Sequence, residues 1–235
     1  MSLPVLDTAP VLDTGATLWL VRHGESTWNS AGLAQGHNDE AELTERGLRQ
    51  AAQAAAQFGY RPVRAIYASD LRRAQQTAAA FAAVLGLPVH PDARLRERSL
   101  GVLEGTSHAA IGPAATGLGG GLVIDPDVRP PAGESVRDLY LRAASFCDDL
   151  AASLSGPVLA DTALADTALA DTALAGPVPA GPGGDVLVIA HGGTVRVLDA
   201  YARGVPVDQM TWRPVDNATI VRIPGFGTLS RGGIR

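Results

Sequence analysis

The chain has 235 residues, 46% of them hydrophobic and 18% charged, with a formal net charge of −5. This is a globular composition, long enough for one large domain or two small ones, and its negative balance argues against a nucleic-acid surface. The single cysteine, Cys147, excludes an intrachain disulfide and a Cys-based zinc site.

In chain order, "MSLPVLDTAPVLDTGA" has turn residues and no sustained period, and reads as a loose leader over residues 1–16. It lacks the basic start and apolar core of a signal peptide, and no later run is long enough to cross a bilayer, so a cytoplasmic protein without membrane partners is expected. "TLWLVRH", Thr17 to His23, is a short apolar run that suits a strand buried on both faces. "LTERGLRQAAQAAAQFG" predicts a helix capped by Thr44 and closed before Gly59. "VRAIYAS", Val63 to Ser69, predicts a second strand. "SDLRRAQQTAAAFAAVLG" predicts a helix with Ser69 as N-cap and Gly86 past its end. "GESVRDLYLRAASFCDDLAASL" puts Val136, Leu139, Tyr140, Ala143, Cys147, Leu150 and Leu154 close to one helical face, where Cys147 is a small core residue. "DVLVIAH", Asp185 to His191, is a third buried strand, followed by the helix "GGTVRVLDAYARG". "ATIVRIPG", Ala218 to Gly225, suits a last, edge strand. Strands alternating with helices predict an α/β fold, three layers αβα around a mostly parallel sheet, with residues 17–235 as one domain.

One segment does not follow this pattern. From Leu159 to Ala175 "LADTA" repeats in steps of five. At about 100° per residue, five residues place successive leucines on different helical faces. In a strand, an odd period alternates faces. The repeat, within residues 157–184, reads as an inserted low-complexity connection.

Two strands share a feature. "LWLVRHG" ends in His23-Gly24 and "VLVIAHGG" in His191-Gly192-Gly193. In a parallel sheet the C-terminal strand ends line one edge, where ligands bind at a switch in strand order. Glycine there lets backbone approach a ligand. All 19 basic residues are Arg, whose planar fork grips phosphate or carboxylate with paired donors. One of them, Arg22, precedes His23.

"RHGESTWN" resembles the signature of the histidine phosphatase superfamily, the phosphoglycerate mutase-like fold. "QGHNDEAELTERGLRQA", "SDLRRAQQTA", "LRERSLGVLEG", "PPAGES" and "AHGGTVR" are similar to its later landmarks, in the same order. Together they cover about Thr17 to Ile223, the repeat excepted. The resemblance implies that His23 attacks phosphorus and that Arg22 and Arg73 bind the phosphoryl oxygens. It implies that His191 donates to the transferring group, and that Asn29, Gln35, Gly36 and Gly192 are further contacts. Glu97 would protonate the leaving oxygen and then activate water. Arg73 is preferred to Arg72 because the family's arginine precedes Ala, here Ala74. For Glu97 the alternative is an ion pair with Arg94, Arg96 or Arg98; for Asn29, a helix or turn cap. His37, His90 and His108 match nothing and read as surface residues.

Phosphoryl transfer needs positioning and positive charge around the equatorial oxygens. Guanidiniums and imidazoles supply it here, so neither a metal nor another cofactor is expected, and no metal-ligand spacing such as H-E-x-x-H occurs. The partner is a small phosphate ester. The segment from 105 to 133, "GTSHAAIGPAATGLGGGLVIDPDVRPPAG", falls where the family's mutases carry a basic lid. It holds one Arg (Arg129) and a Gly-rich run. It suits a mobile cap over a varied substrate better than a clamp for a second anion, which favours a phosphatase over a mutase or a non-catalytic binding module.

Overall fold

A computed structural model describes residues 5–6, 15–112, 125–155 and 184–226. The "LADTA" repeat and the Gly-rich part of the cap lie outside the described residues. The strands are β1 (Val5–Leu6), β2 (Ala16–Arg22), β3 (Val63–Ala68), β4 (Val89–Pro91), β5 (Asp185–Ala190) and β6 (Ile220–Phe226). The α-helices are α1 (Thr27–Ser30), α2 (Glu45–Phe58), α3 (Arg72–Leu85), α4 (Val136–Ser155) and α5 (Gly192–Ala202).

The sheet runs β1-β6-β2-β5-β3-β4. All neighbours are parallel except β2 and β6. Two details differ from the sequence reading. Val5–Leu6, inside the stretch read as a loose leader, pairs with β6, so β6 has a neighbour on each side. Ser69 does not cap α3. The helix begins at Arg72, with Leu71 as an N-cap that makes no side-chain bond, and the Arg72 N–H is taken by Asp39 Oδ1.

Side chains alternate across the strands, as a pleated sheet buried on both faces requires. Leu18, Leu20, Val186 and Val188 face one cluster with Leu139, Phe146 and Leu198 of α4 and α5. Trp19, Val21, Leu187 and Ile189 face the other, with Phe58 of α2 and Phe81 of α3. The result is three layers, αβα. The predicted apolar face of α4 is buried from Val136 to Leu150, and desolvation pushes the Cys147 thiol up to about 12.

Register then sets the site. Arg22 on β2 pairs with Ala190 on β5, and the His23 N–H donates to the Ala190 carbonyl at 2.9 Å. The two strands therefore stop side by side, each one residue before a histidine. The loop after His23 is pinned from below by α2. A Cβ on Gly24 would lie 2.4 Å from the Gly47 carbonyl oxygen, and one on Gly47 would lie 2.0 Å from the Glu25 carbonyl oxygen.

Gly47→Ala tests that packing. Helix propensity alone favours Ala by about 1 kcal/mol. The Cβ, however, meets backbone, which cannot rotate away. We expect a net loss of about 1–3 kcal/mol, roughly 2–4 °C in Tm for each kcal/mol. Thermal denaturation checks it, and an unchanged or raised Tm would show that α2 does not press on the loop.

Candidate active site

The strand ends open into a cavity of about 200 Å³ lined by Arg22, His23, Asn29, Gln35, Gly36, Arg73, Glu97 and His191 among others. Every side chain singled out from the sequence is there.

His23 is buried, and its Nδ1 lies 2.6 Å from the Gly24 carbonyl oxygen. A carbonyl can only accept, so Nδ1 carries the proton and Nε2 keeps its lone pair. Burial, then Arg73 and Arg22, push the His23 pKa well below the usual histidine value, against a smaller opposing effect of the Gly24 bond. The ring is neutral and nucleophilic at neutral pH. The His191 ring lies 5.1 Å away, centroid to centroid. Burial first, then Arg73, His23 and Arg22, keep it neutral too.

Arg73 is fully buried in the first turn of α3. Its Nε donates to His191 Nδ1 at 3.2 Å, and its terminal nitrogens donate to the carbonyls of Asn38 and Gly36, each at 2.8 Å. Three of its five N–H groups are used; two remain. Burial lowers its pKa to about 10, so it stays a cation. Gly36 thus acts through its carbonyl, at a positive φ of 50° where a Cβ would strike Glu104. With Nδ1 accepting from Arg73, His191 Nε2 carries the proton and faces Ser69 Oγ at 2.8 Å. That is where the residue read as a helix cap goes. Arg22 donates through Nη1 to the Val215 carbonyl, while its Nε is buried without a hydrogen-bond partner. Orphaned buried N–H groups are rare in folded proteins and call for an explanation.

The two amides are oriented by Ser26, which the sequence reading did not single out. Its Oγ donates to Gln35 Oε1 and accepts from the Asn29 N–H, while its own N–H donates to Asn29 Oδ1. Asn217 also donates to Asn29 Oδ1. Asn29 therefore does close a capping box on α1, one of its two readings, and still lines the cavity. Both amide carbonyls are occupied from behind, which leaves the NH₂ groups as the donors available to an anion.

Glu97 is held by N–H groups. Its Oε2 accepts from Gly193 N and its Oε1 from Arg98 N, each at 2.9 Å. Arg94 pairs with Asp92 and Asp149, and Arg96 with Asp70, so neither of these two holds it, while Arg98 is near enough for Glu97 to act on it electrostatically. Arg142 on α4 positions its turn. Arg142 donates to the carbonyls of Arg94, Arg96 and Glu97 and is itself clamped by Glu134. His37 Nε2 lies 2.8 Å from the Glu97 carbonyl oxygen. Two histidines read as surface residues thus border the site, since His108 is exposed on the cavity rim. His90 packs against Tyr67 at the far edge. Arg72 is on the surface, near Glu42. Arg98 and Arg196, which fall inside the landmarks "LRERSLGVLEG" and "AHGGTVR" but were given no role in the site, also line the cavity, as does Trp212, which carried no sequence signal. Among the described residues, no cluster of three His, Cys, Asp or Glu side chains could hold a metal ion, and no helix is long and apolar enough to cross a membrane.

These features converge with the comparisons. The profile of the histidine phosphatase superfamily (branch 1) matches residues 18–162 and 168–227. The chain belongs to that superfamily, whose phosphatases act without metal ions. It is 34% identical over 190 residues to the glucosyl-3-phosphoglycerate phosphatase of Mycobacterium tuberculosis, covering 81% of this chain and 76% of that one. It is 39% identical over 146 residues to a Yersinia pestis protein provisionally assigned as the phosphoglycerate mutase GpmB, covering 60% of this chain and 67% of that one. The solved structure of mycobacterial hydrolase 1 superposes with a TM-score of 0.70 at 32% identity, over 92% of this chain and 93% of that one.

The two neutral histidines predict a pH dependence of stability. Both have folded pKa values below the unfolded value of about 6.5. Below pH 6.5 the unfolded chain therefore binds more protons, and stability falls as pH falls. Between pH 7.5 and 5.5 each histidine should remove up to about 1.4 kcal/mol, the limit reached when its ring stays neutral in the folded chain throughout. Urea melts in phosphate-free buffer measure this, and His191→Asn should shallow the slope. A stability that rises on acidification in this window contradicts the buried neutral pair.

Proposed function

We propose that the chain hydrolyses small phosphomonoesters through a phosphohistidine on His23. The observation that carries this is the fixed tautomer of His23, whose free Nε2 stands among Arg22, Arg73 and His191. The phosphoryl group enters in line with Nε2. The unpartnered Arg22 Nε–H, the two remaining Arg73 N–H groups and the amides of Asn29 and Gln35 hold its equatorial oxygens. Gly192 gives the guanidiniums room, since a Cβ there would crowd Arg196 Nη1 at 3.1 Å and touch Arg22 Nε at 3.5 Å. In the geometry described, both His191 nitrogens are engaged. It donates to the phosphoryl group once protonated at Nδ1, a form the dianion favours, with Arg73 Nε–H turned to the anion.

Glu97, protonated once the phosphoryl dianion has bound beside it, gives that proton to the leaving oxygen. It then takes one from the water that attacks phosphorus and frees His23. Positive charge comes from side chains throughout, with no cofactor.

The rest of the organisation follows from this reading. Residues 17–235, whose sheet Val5–Leu6 joins, are one catalytic domain in a cytoplasmic enzyme, with segment 105–133 as its cap and 157–184 as an insert. The partner is a phosphate ester, not nucleic acid or membrane. Mutase-type transfer is the second reading, favoured by the Yersinia relative; a parallel assay for phosphoryl return to a second hydroxyl separates the two.

Glu97→Gln tests the role least explicit in the sequence. Alkyl phosphates release a poor leaving group that needs a proton; nitrophenyl phosphate releases a stabilised phenolate. We expect alkyl phosphate hydrolysis to slow by ~10²–10⁴-fold. The phosphorylation burst with nitrophenyl phosphate should slow far less, although dephosphorylation slows for both. Equal slowing of both bursts removes Glu97 as the acid.

A further inference from the structure

Gln50 and Thr77 fall inside the landmarks "QGHNDEAELTERGLRQA" and "SDLRRAQQTA" and have no part in the transfer outlined above. Both bond to the backbone around Gly24. Thr77 is fully buried on α3, one turn past Arg73. Its Oγ1 accepts from the Gly24 N–H at 3.1 Å and donates to the Arg73 carbonyl at 2.8 Å. The directions are fixed, since a backbone N–H can only donate and a carbonyl can only accept. A threonine inside a helix often bonds back to the carbonyl four residues earlier. That habit explains the donated bond. It does not explain the accepted one, which reaches a buried N–H on a distant segment of the chain.

Gln50, on α2, takes the next peptide. Its Oε1 accepts from the Glu25 N–H at 2.8 Å. The Gly24 carbonyl belongs to the same trans peptide plane and points the opposite way, to within 2.6 Å of His23 Nδ1. A rotation of that plane would disturb both bonds together. Glycine restrains its own backbone less than any other residue, so the orientation of these planes must come from outside. Contact with Gly47 limits how far the loop can move. Gln50 and Thr77 set how its peptides are turned.

We infer that Gln50 and Thr77 are positioning residues for the nucleophile: together they turn the two peptides of Gly24 so that its carbonyl holds the Nδ1 proton of His23 and leaves Nε2 free. The inference rests on the phosphohistidine reading and deepens it. Arg73 and Thr77 lie four residues apart on one helix face. The cation that binds the phosphoryl group and the hydroxyl that holds the nucleophile's loop therefore move as one body.

The NMR shifts of the His23 ring nitrogens distinguish its neutral tautomers without turnover. Wild type should show the Nδ1–H form alone. Thr77→Val keeps the shape of the side chain but offers no acceptor. Gln50→Leu removes the other acceptor at a partly exposed position, where the fold is less at risk. Each should give a mixture of tautomers and slow the phosphorylation burst with nitrophenyl phosphate by about ten- to a hundredfold, the cost of a slightly misplaced reacting group. The inhibition constant of inorganic phosphate reads the rest of the pocket and should move much less, which also shows that the variants are folded. Thr77→Ser, which keeps the hydroxyl, should retain the wild-type tautomer and most of the burst rate. The wild-type tautomer in either Thr77→Val or Gln50→Leu overturns the inference, whatever the burst does. So does equal slowing in Thr77→Ser and Thr77→Val, because the methyl group and not the hydroxyl would then matter. A wild type that forms no adduct on His23 instead overturns the phosphohistidine reading, while the tautomers still decide what Gln50 and Thr77 hold.

Discussion

The site depends on the pairing of β2 with β5. Because Arg22 stands opposite Ala190, the first residues beyond each strand are His23 and His191, and the His23 N–H is bound to the Ala190 carbonyl. A slip of one residue would turn each side chain to the other face of the sheet, burying the apolar set wrongly and separating the rings. Fold stability and catalytic geometry are thus fixed by the same ladder. The other parts are hung from it: α3 brings Arg73 to His191, α5 starts at His191 and presents Gly193 to Glu97, and α4 holds the Glu97 turn through Arg142.

Burial and positive charge act together on the histidines. Either alone disfavours imidazolium, and both are present. The cost is carried by buried guanidiniums whose donors mostly find carbonyl acceptors: Asn38 and Gly36 for Arg73, Val215 for Arg22, Arg213 for Arg196. Carbonyls satisfy donors without cancelling charge, which a carboxylate would do. The field is therefore left for an incoming anion. Glu97 is the carboxyl group among the cavity-lining residues, and it is held by the N–H groups of Gly193 and Arg98.

Much of this was legible in the sequence where the signal is local. Thr44 and Gly59 bound α2 as expected, Gly86 ends α3 in the left-handed region, and the apolar period of α4 marks its buried face. The two strand-end histidines and the flanking motifs marked residues that the structure gathers around one cavity. What was missed depends on contacts distant in sequence. Ser69 has the chemistry of a cap, yet Asp39 supplies the acceptor for Arg72 N and Ser69 serves His191. Arg142 looks like any polar residue on an amphipathic helix, and its role appears only when the 94–97 turn docks on it. Arg196 and Trp212 meet through a cation–ring contact that no local period encodes. Val5–Leu6 is too short to show a period at all.

The central claim is that Gly24 holds the Nδ1 proton and leaves His23 Nε2 as the nucleophile. Rapid quench of wild type with nitrophenyl phosphate, followed by alkaline digestion and separation of the two phosphohistidine isomers, tests it directly. The account predicts an adduct on His23, phosphorylated at Nε2, formed within the burst. The Nδ1 isomer, or an adduct on any other residue, would contradict it.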